Sequence, residues 1–147
     1  MTNMEKVPKN HIVYHGEINV RFNDLDPYGH VNASIFLDYI ISSRWSFLEK
    51  ELQVTVDELI KKGLGFFLVN SNINYLKPIY GNSLITVDSW VTVVDKASLT
   101  VEFEITNQSK KTVSTGSLVF AIIDLKTKHP MSLPKWAEYL FIEDTNG

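Results

Sequence analysis

Residues 33–48, ASIFLDYIISSRWSFL, constrain the fold more than any other stretch of this chain. Ala33, Phe36, Leu37, Ile40, Ile41, Phe47 and Leu48 recur at helical spacing, interrupted by Arg44. Ile35, Tyr39 and Trp45 add apolar groups on other faces. A helix apolar over most of its surface is expected to be buried rather than laid on the outside. Its polar residues, among them Asp38, Ser42, Ser43 and Arg44, then need partners or a way to water. Arg44 is expected to be paired or to snorkel outward. The predicted helix runs from about Asn32 to Lys50, with the Asn32 side chain as its N-cap.

The rest of the pattern supplies what such a helix needs around it. Ile18, Val20 and Phe22 alternate with Glu17, Asn19 and Arg21, so a first strand is predicted over His11 to Phe22. A short helix is predicted over Thr55 to Lys62, with Thr55 as cap, Glu58 at capping-box spacing and Gly63 after it. Strands are predicted over Phe66–Leu76, Leu84–Val94, Leu99–Ile105 and Val113–Leu125, with hairpin-sized links at Asp95–Ser98 and Asn107–Lys111. The LVFAIID run in the last strand is apolar on both faces, which suits a central position. Leu133-Pro134 opens a short amphipathic helix through Phe141. One antiparallel sheet wrapped around one long helix, an α+β roll, satisfies these patterns. A single helix covers one face of a sheet, so a second subunit is expected to bury the remaining apolar surface.

The chain's 147 residues, 44% of them hydrophobic, suit one domain over 1–147 with a sizeable core. A net charge of -3 without a basic block argues against nucleic acid as a partner. The absence of cysteine excludes disulfides, thiolate catalysis and Cys-ligated metal. The polar start MTNMEKVPKN has no signal-peptide core, and no apolar run approaches the roughly 20 residues that cross a bilayer. A soluble, cytoplasmic protein with no membrane partner is the expectation.

The chemistry concentrates just ahead of the long helix. Asp24, Asp26, His30 and Asn32 fall within nine residues, in a turn marked by Asp26-Pro27 and Gly29. A carboxylate beside a helix start is stabilised by free N–H groups and the positive dipole end, so Asp26 or Asp24 can simply be a cap or turn former. The same N–H groups can also receive an external oxyanion. A carboxylate beside such donors supplies what acyl transfer requires: one group attacks or activates water, and the other stabilises charge on oxygen. His30 can orient Asp26, polarise a carbonyl, or act only as a turn residue. Asn32 can cap the helix, or its amide can hold a carbonyl or a water. No second cluster of His or Glu supports a metal here, and no cofactor is expected.

The stretch VRFNDLDPYGHVNASIFLDYI, with its D-x-D-x-x-G-H-V-N loop, resembles the signature of hotdog-fold acyl thioesterases of the 4-hydroxybenzoyl-CoA thioesterase type. Its DLD…HVN wording is also similar to that of plant fatty acyl-ACP thioesterases. INYLKPIYGNSLITVDSWV and TGSLVFAIIDLKTKHPMSLP resemble later strands of the same family, in the right order. The resemblance implies a hotdog fold and hydrolysis of an acyl-CoA or acyl-ACP thioester, in the setting of fatty acid metabolism. By position, Asp26 matches the catalytic aspartate, as nucleophile or general base. His30 and Asn32 match the accompanying HVN positions, and the backbone N–H groups near Asn32 and Ala33 match the oxyanion donors. Asp24 matches a structural aspartate.

Two departures bear on substrate rather than chemistry: Ile41 stands where many relatives carry a Glu three residues before the helix Arg, and Gly81-Asn82 replaces Gly-Asp. The resemblance further implies a homodimer or homotetramer, with residues around Val69 to Asn72 facing the neighbour's loop. Two other readings stay open. One is a hotdog hydratase or dehydratase, which usually needs a His and a carboxylate on opposite sides of the acyl group. The other is a non-catalytic acyl-thioester-binding module, for whose output domain 147 residues leave no room.

Overall fold

The computed structural model describes residues 6–143; the first half of the polar start Met1–Asn10 lies outside the described residues. Strand β1 (Tyr14–Asn19) leads through a 3-10 turn (Phe22–Asp24) to the long helix α1 (Ile35–Lys50) and the short helix α2 (Val56–Lys61). Strands β2 (Leu64–Tyr75), β3 (Leu84–Val94), β4 (Ser98–Thr106), β5 (Thr112–Asp124) and β6 (His129–Pro130) follow, and a 3-10 helix (Lys135–Leu140) closes the chain.

The strands form one antiparallel sheet in the order β1-β3-β4-β5-β2. Strand β6, absent from the sequence reading, extends the β4 side of β5 through Ile123 and Asp124. With only two residues it carries no periodicity to read. In β4 the apolar set Leu99, Val101, Phe103 and Ile105 is buried as expected, while Glu104 on the alternate positions is buried as well. These four apolar residues join Ile85, Val87 and Val91 of β3 and Leu118 and Ile122 of β5 in one core with Phe36, Tyr39, Ile40 and Leu48 of α1. This is the α+β roll expected above.

Helix α1 makes its closest backbone approach to β1 and β3. Gly16 permits this, because a Cβ there would lie 2.2 Å from Ser43 Oγ. The seam between α1 and β2 is spanned by side chains instead, as where the rings of Phe36 and Tyr75 meet edge-on at 4.8 Å.

Two boundaries beside the loop differ from the sequence reading. The first strand ends at Asn19, and Phe22, counted among its inward residues, is 87% exposed. Arg21 and Asp24 draw the backbone into a turn there instead. Helix α1 starts at Ile35 rather than Asn32, because the Asn32 side chain caps a preliminary turn, accepting from Ser34 N–H at 3.0 Å. The helix is also less enclosed than its composition suggests: Asp38, Ser42, Trp45 and Glu49 are exposed. The second helix keeps its cap, with Thr55 Oγ1 accepting from Glu58 N–H at 3.2 Å, and Gly63 ends it at φ +78°.

Candidate active site

The loop between β1 and α1 is tied down at both ends by Asp24. Its buried carboxylate accepts from Tyr39 Oη at 2.6 Å and from Arg21 at 2.9 and 3.3 Å. Its carbonyl accepts from Asn32 N–H at 2.8 Å. The Tyr39 hydroxyl, followed by Arg21, holds the Asp24 carboxyl below the usual carboxylate range. Asp24 is thus the structural member of the pair, joining the loop to the second turn of α1.

Asp26 heads a tight turn inside that frame. Its carbonyl accepts from Gly29 N–H at 3.0 Å, and its Oδ1 accepts from Tyr28 N–H at 2.9 Å and His30 N–H at 3.1 Å. Gly29 sits at φ +81°, a conformation that disfavours a side chain. Bridges between Leu25 and Val31 and between His30 and Tyr80 hold the turn closed and dock it on the segment after β2. The two carboxylates therefore serve different partners and do not converge as metal ligands would.

A cleft of about 270 Å³ opens beside this turn. Asp26, His30, Val31 and Ala33 form one wall, Phe36 of α1 another, and Tyr75, Leu76, Lys77 and Pro78 the third. The last four close β2 in the sequence but carry no signal there that marks them as site residues.

Three of the candidate roles read from sequence shift in this geometry. The His30 ring meets Tyr80 edge-on at 4.9 Å, and it is the His30 backbone, not the imidazole, that holds Asp26. The Asn32 N–H is spent on Asp24, so it is not available to an oxyanion. Ser34 N–H and Ile35 N–H are likewise committed, to Asn32 Oδ1 and Asn32 O. That leaves Ala33 N–H as the donor at residues 32–35 with no partner among the described residues. The Ala33 carbonyl accepts from Tyr75 Oη at 3.2 Å, which helps fix that residue in place. Arg44, expected to be paired or snorkelling, has no ion-pair partner among the described residues and is 8% exposed, with its guanidinium over the Tyr14 ring and Nη1 donating to Ser89 Oγ.

A family model described as the thioesterase-like superfamily matches residues 20–141. The long-chain acyl-CoA thioesterase FadM of Escherichia coli is 31% identical over 118 residues, spanning 80% of this chain and 88% of that protein. The solved structure of YbaW, a probable thioesterase of Escherichia coli, is 28% identical, with a TM-score of 0.76 over 86% of this chain and 95% of its own. That of the DHNA-CoA thioesterase of Staphylococcus aureus is 23% identical, with a TM-score of 0.75 over 86% and 87% of the two chains. The fold is that of hotdog thioesterases.

Proposed function

This chain belongs to the thioesterase-like superfamily, and from that premise we propose that it hydrolyses acyl-CoA thioesters in the cleft beside Asp26. The observation that carries the proposal is that Asp26 and Ala33, whose N–H has no partner among the described residues, line one cleft. Asp26 acts as general base or nucleophile. As base, it takes a proton from water while the water oxygen attacks the thioester carbonyl carbon. The developing oxyanion is met by Ala33 N–H, just ahead of α1 and near the positive end of its dipole. When the C–S bond breaks, the thiolate leaves with the proton held by Asp26, giving free acid and CoA. As nucleophile, Asp26 attacks the carbonyl carbon and expels the CoA thiolate to form a mixed anhydride, which water opens to free acid and the Asp26 carboxylate, a proton passing to the thiolate.

His30 contributes its backbone to the seat of Asp26 and its ring to the cleft wall. The Asn32 side chain, expected to hold the carbonyl or the attacking water, is not among the residues that line the cleft, and its oxygen is taken by Ser34. A hydratase reading needs a His and a carboxylate on opposite sides of the acyl group, whereas His30 and Asp26 share one turn.

The working unit is a homodimer or homotetramer. Strand β2 is a sheet edge, and Phe67 and Val69 stand 53% and 61% exposed on it, a surface that a second copy would cover. The setting is cytoplasmic fatty acid metabolism; among the described residues no helix is long and apolar enough to cross a membrane. The test is release of free thiol from acyl-CoAs and from their acyl-ACP counterparts by the purified protein. Release from acyl-CoA supports the proposal, release only from acyl-ACP moves the carrier, and release from neither overturns it.

A further inference from the structure

A second cavity, of about 50 Å³, lies farther along the seam between α1 and β2, lined by Ile41, Arg44, Leu48, Phe66, Leu99 and Phe141 among others. It is large enough for a few waters or the end of an acyl chain. The two chain elements run in opposite directions past each other: Phe36 meets Tyr75 at the Asp26 cleft, and Leu48 and Phe66 flank the second cavity. From Phe36 to Arg44 is about 12 Å along the helix.

The lining is apolar except for Arg44, and the state of that guanidinium is unusual. It is 8% exposed, yet among the described residues it has no carboxylate within ion-pair reach. Among the described residues, one of its five N–H donors is used in a hydrogen bond, to Ser89 Oγ at 2.8 Å. The Tyr14 ring, 4.1 Å away, covers one face. Burial lowers the group to about 10, so it still carries its charge at neutral pH. The residue one turn earlier, where an internal carboxylate would reach it, is the apolar Ile41. A buried cation without a counter-charge among the described residues, on a residue that lines an otherwise apolar cavity, is suited to an anion borne on an apolar stem.

We propose that Arg44 is a specificity determinant that binds a carboxylate at the far end of the acyl group, so that the preferred substrates are medium-chain ω-carboxyacyl-CoAs. The proposal rests on the thioesterase reading and deepens it. The acyl chain runs along the α1–β2 seam from the Asp26 cleft, and its terminal carboxylate replaces the missing counter-charge. A methyl-ended chain of the same length leaves the guanidinium unpaired while excluding the water that otherwise solvates it.

The experiment compares kcat/KM for adipoyl-, suberoyl- and sebacoyl-CoA with that for hexanoyl-, octanoyl- and decanoyl-CoA, in wild type, Arg44→Met and Ile41→Glu. Arg44→Met removes the cation. Ile41→Glu supplies a carboxylate three residues earlier on the helix and neutralises the cation in place, so it serves as an independent check if Arg44→Met misfolds. The wild type is expected to favour at least one ω-carboxyl substrate over its methyl-ended match by about tenfold or more, and the ratio to fall to about one or below in both variants. A wild-type ratio at or below one at every length overturns the proposal, as does a preference that survives in both variants. Failure to cleave any acyl-CoA, methyl-ended or not, overturns the thioesterase reading itself, so the two failures are told apart.

Discussion

Asp26 and His30 hold each other through the backbone: Asp26 N–H donates to the His30 carbonyl at 2.6 Å, and His30 N–H returns a bond to Asp26 Oδ1 at 3.1 Å. The imidazole takes no part in this exchange and rests on Tyr80. The seat of the carboxylate is thus made by the course of the chain, not by the side chain at position 30. His30→Gln should lower kcat/KM by roughly tenfold or less, well short of what direct removal of a general base costs. Steady-state kinetics check this, and a loss as large as that for Asp26→Asn would make the ring itself catalytic.

Gly29 allows the turn that aims Asp26. At φ +81° an alanine pays for a left-handed backbone even though nothing lies within 4 Å of its added Cβ. Gly29→Ala should therefore cost about 1 kcal/mol of stability, with a larger proportional fall in kcat than in Tm as the turn relaxes. Thermal unfolding alongside kinetics tests the pair.

Asp24 gives the fold a pH dependence whose sign is fixed by its surroundings. Its carboxyl is held below the usual range by Tyr39 and then Arg21. A group whose folded pKa is depressed contributes stability above the unfolded value, near about 4, and loses it as pH falls through the folded value. Denaturant midpoints of wild type and Asp24→Asn should differ most at neutral pH and converge on acidification. A gap that stays constant with pH would show that the Asp24 charge contributes nothing.

The exposed apolar edge of β2 sets the expectation for assembly. Val69 falls where the pairing of β2 with β5 skips a residue, so it stands outside the regular ladder at 61% exposure. The wild type should sediment as a dimer or tetramer, and Val69→Lys should shift it toward monomer. Sedimentation velocity distinguishes these, and a monomeric wild type would contradict the assembly.

Most of this architecture was legible because long strands state their period plainly. β3 begins and ends where its Val, Ile and Trp content predicts, and β4 buries the alternating set that its sequence displays. The loop was legible as a carboxylate beside a helix start. The fate of individual N–H groups was not: whether Asn32 or Ala33 has a donor to spare depends on the Asp24 carbonyl, eight residues before Asn32, and no side-chain pattern records backbone pairing. Arg44 was opaque for a similar reason. A charged residue on an apolar helix normally finds a partner or water, and only the folded arrangement of Tyr14, Ser89 and Ile41 leaves it buried without a counter-charge among the described residues.

The most direct test of the account is thiol release from an acyl-CoA by wild type beside Asp26→Asn, each first shown to be folded by circular dichroism. The amide keeps the shape and the acceptor that Tyr28 and His30 use, while removing both base and nucleophile. The account predicts a fall in kcat on the order of a hundredfold or more. Equal rates from the two proteins would contradict it, and would take the chemistry away from Asp26.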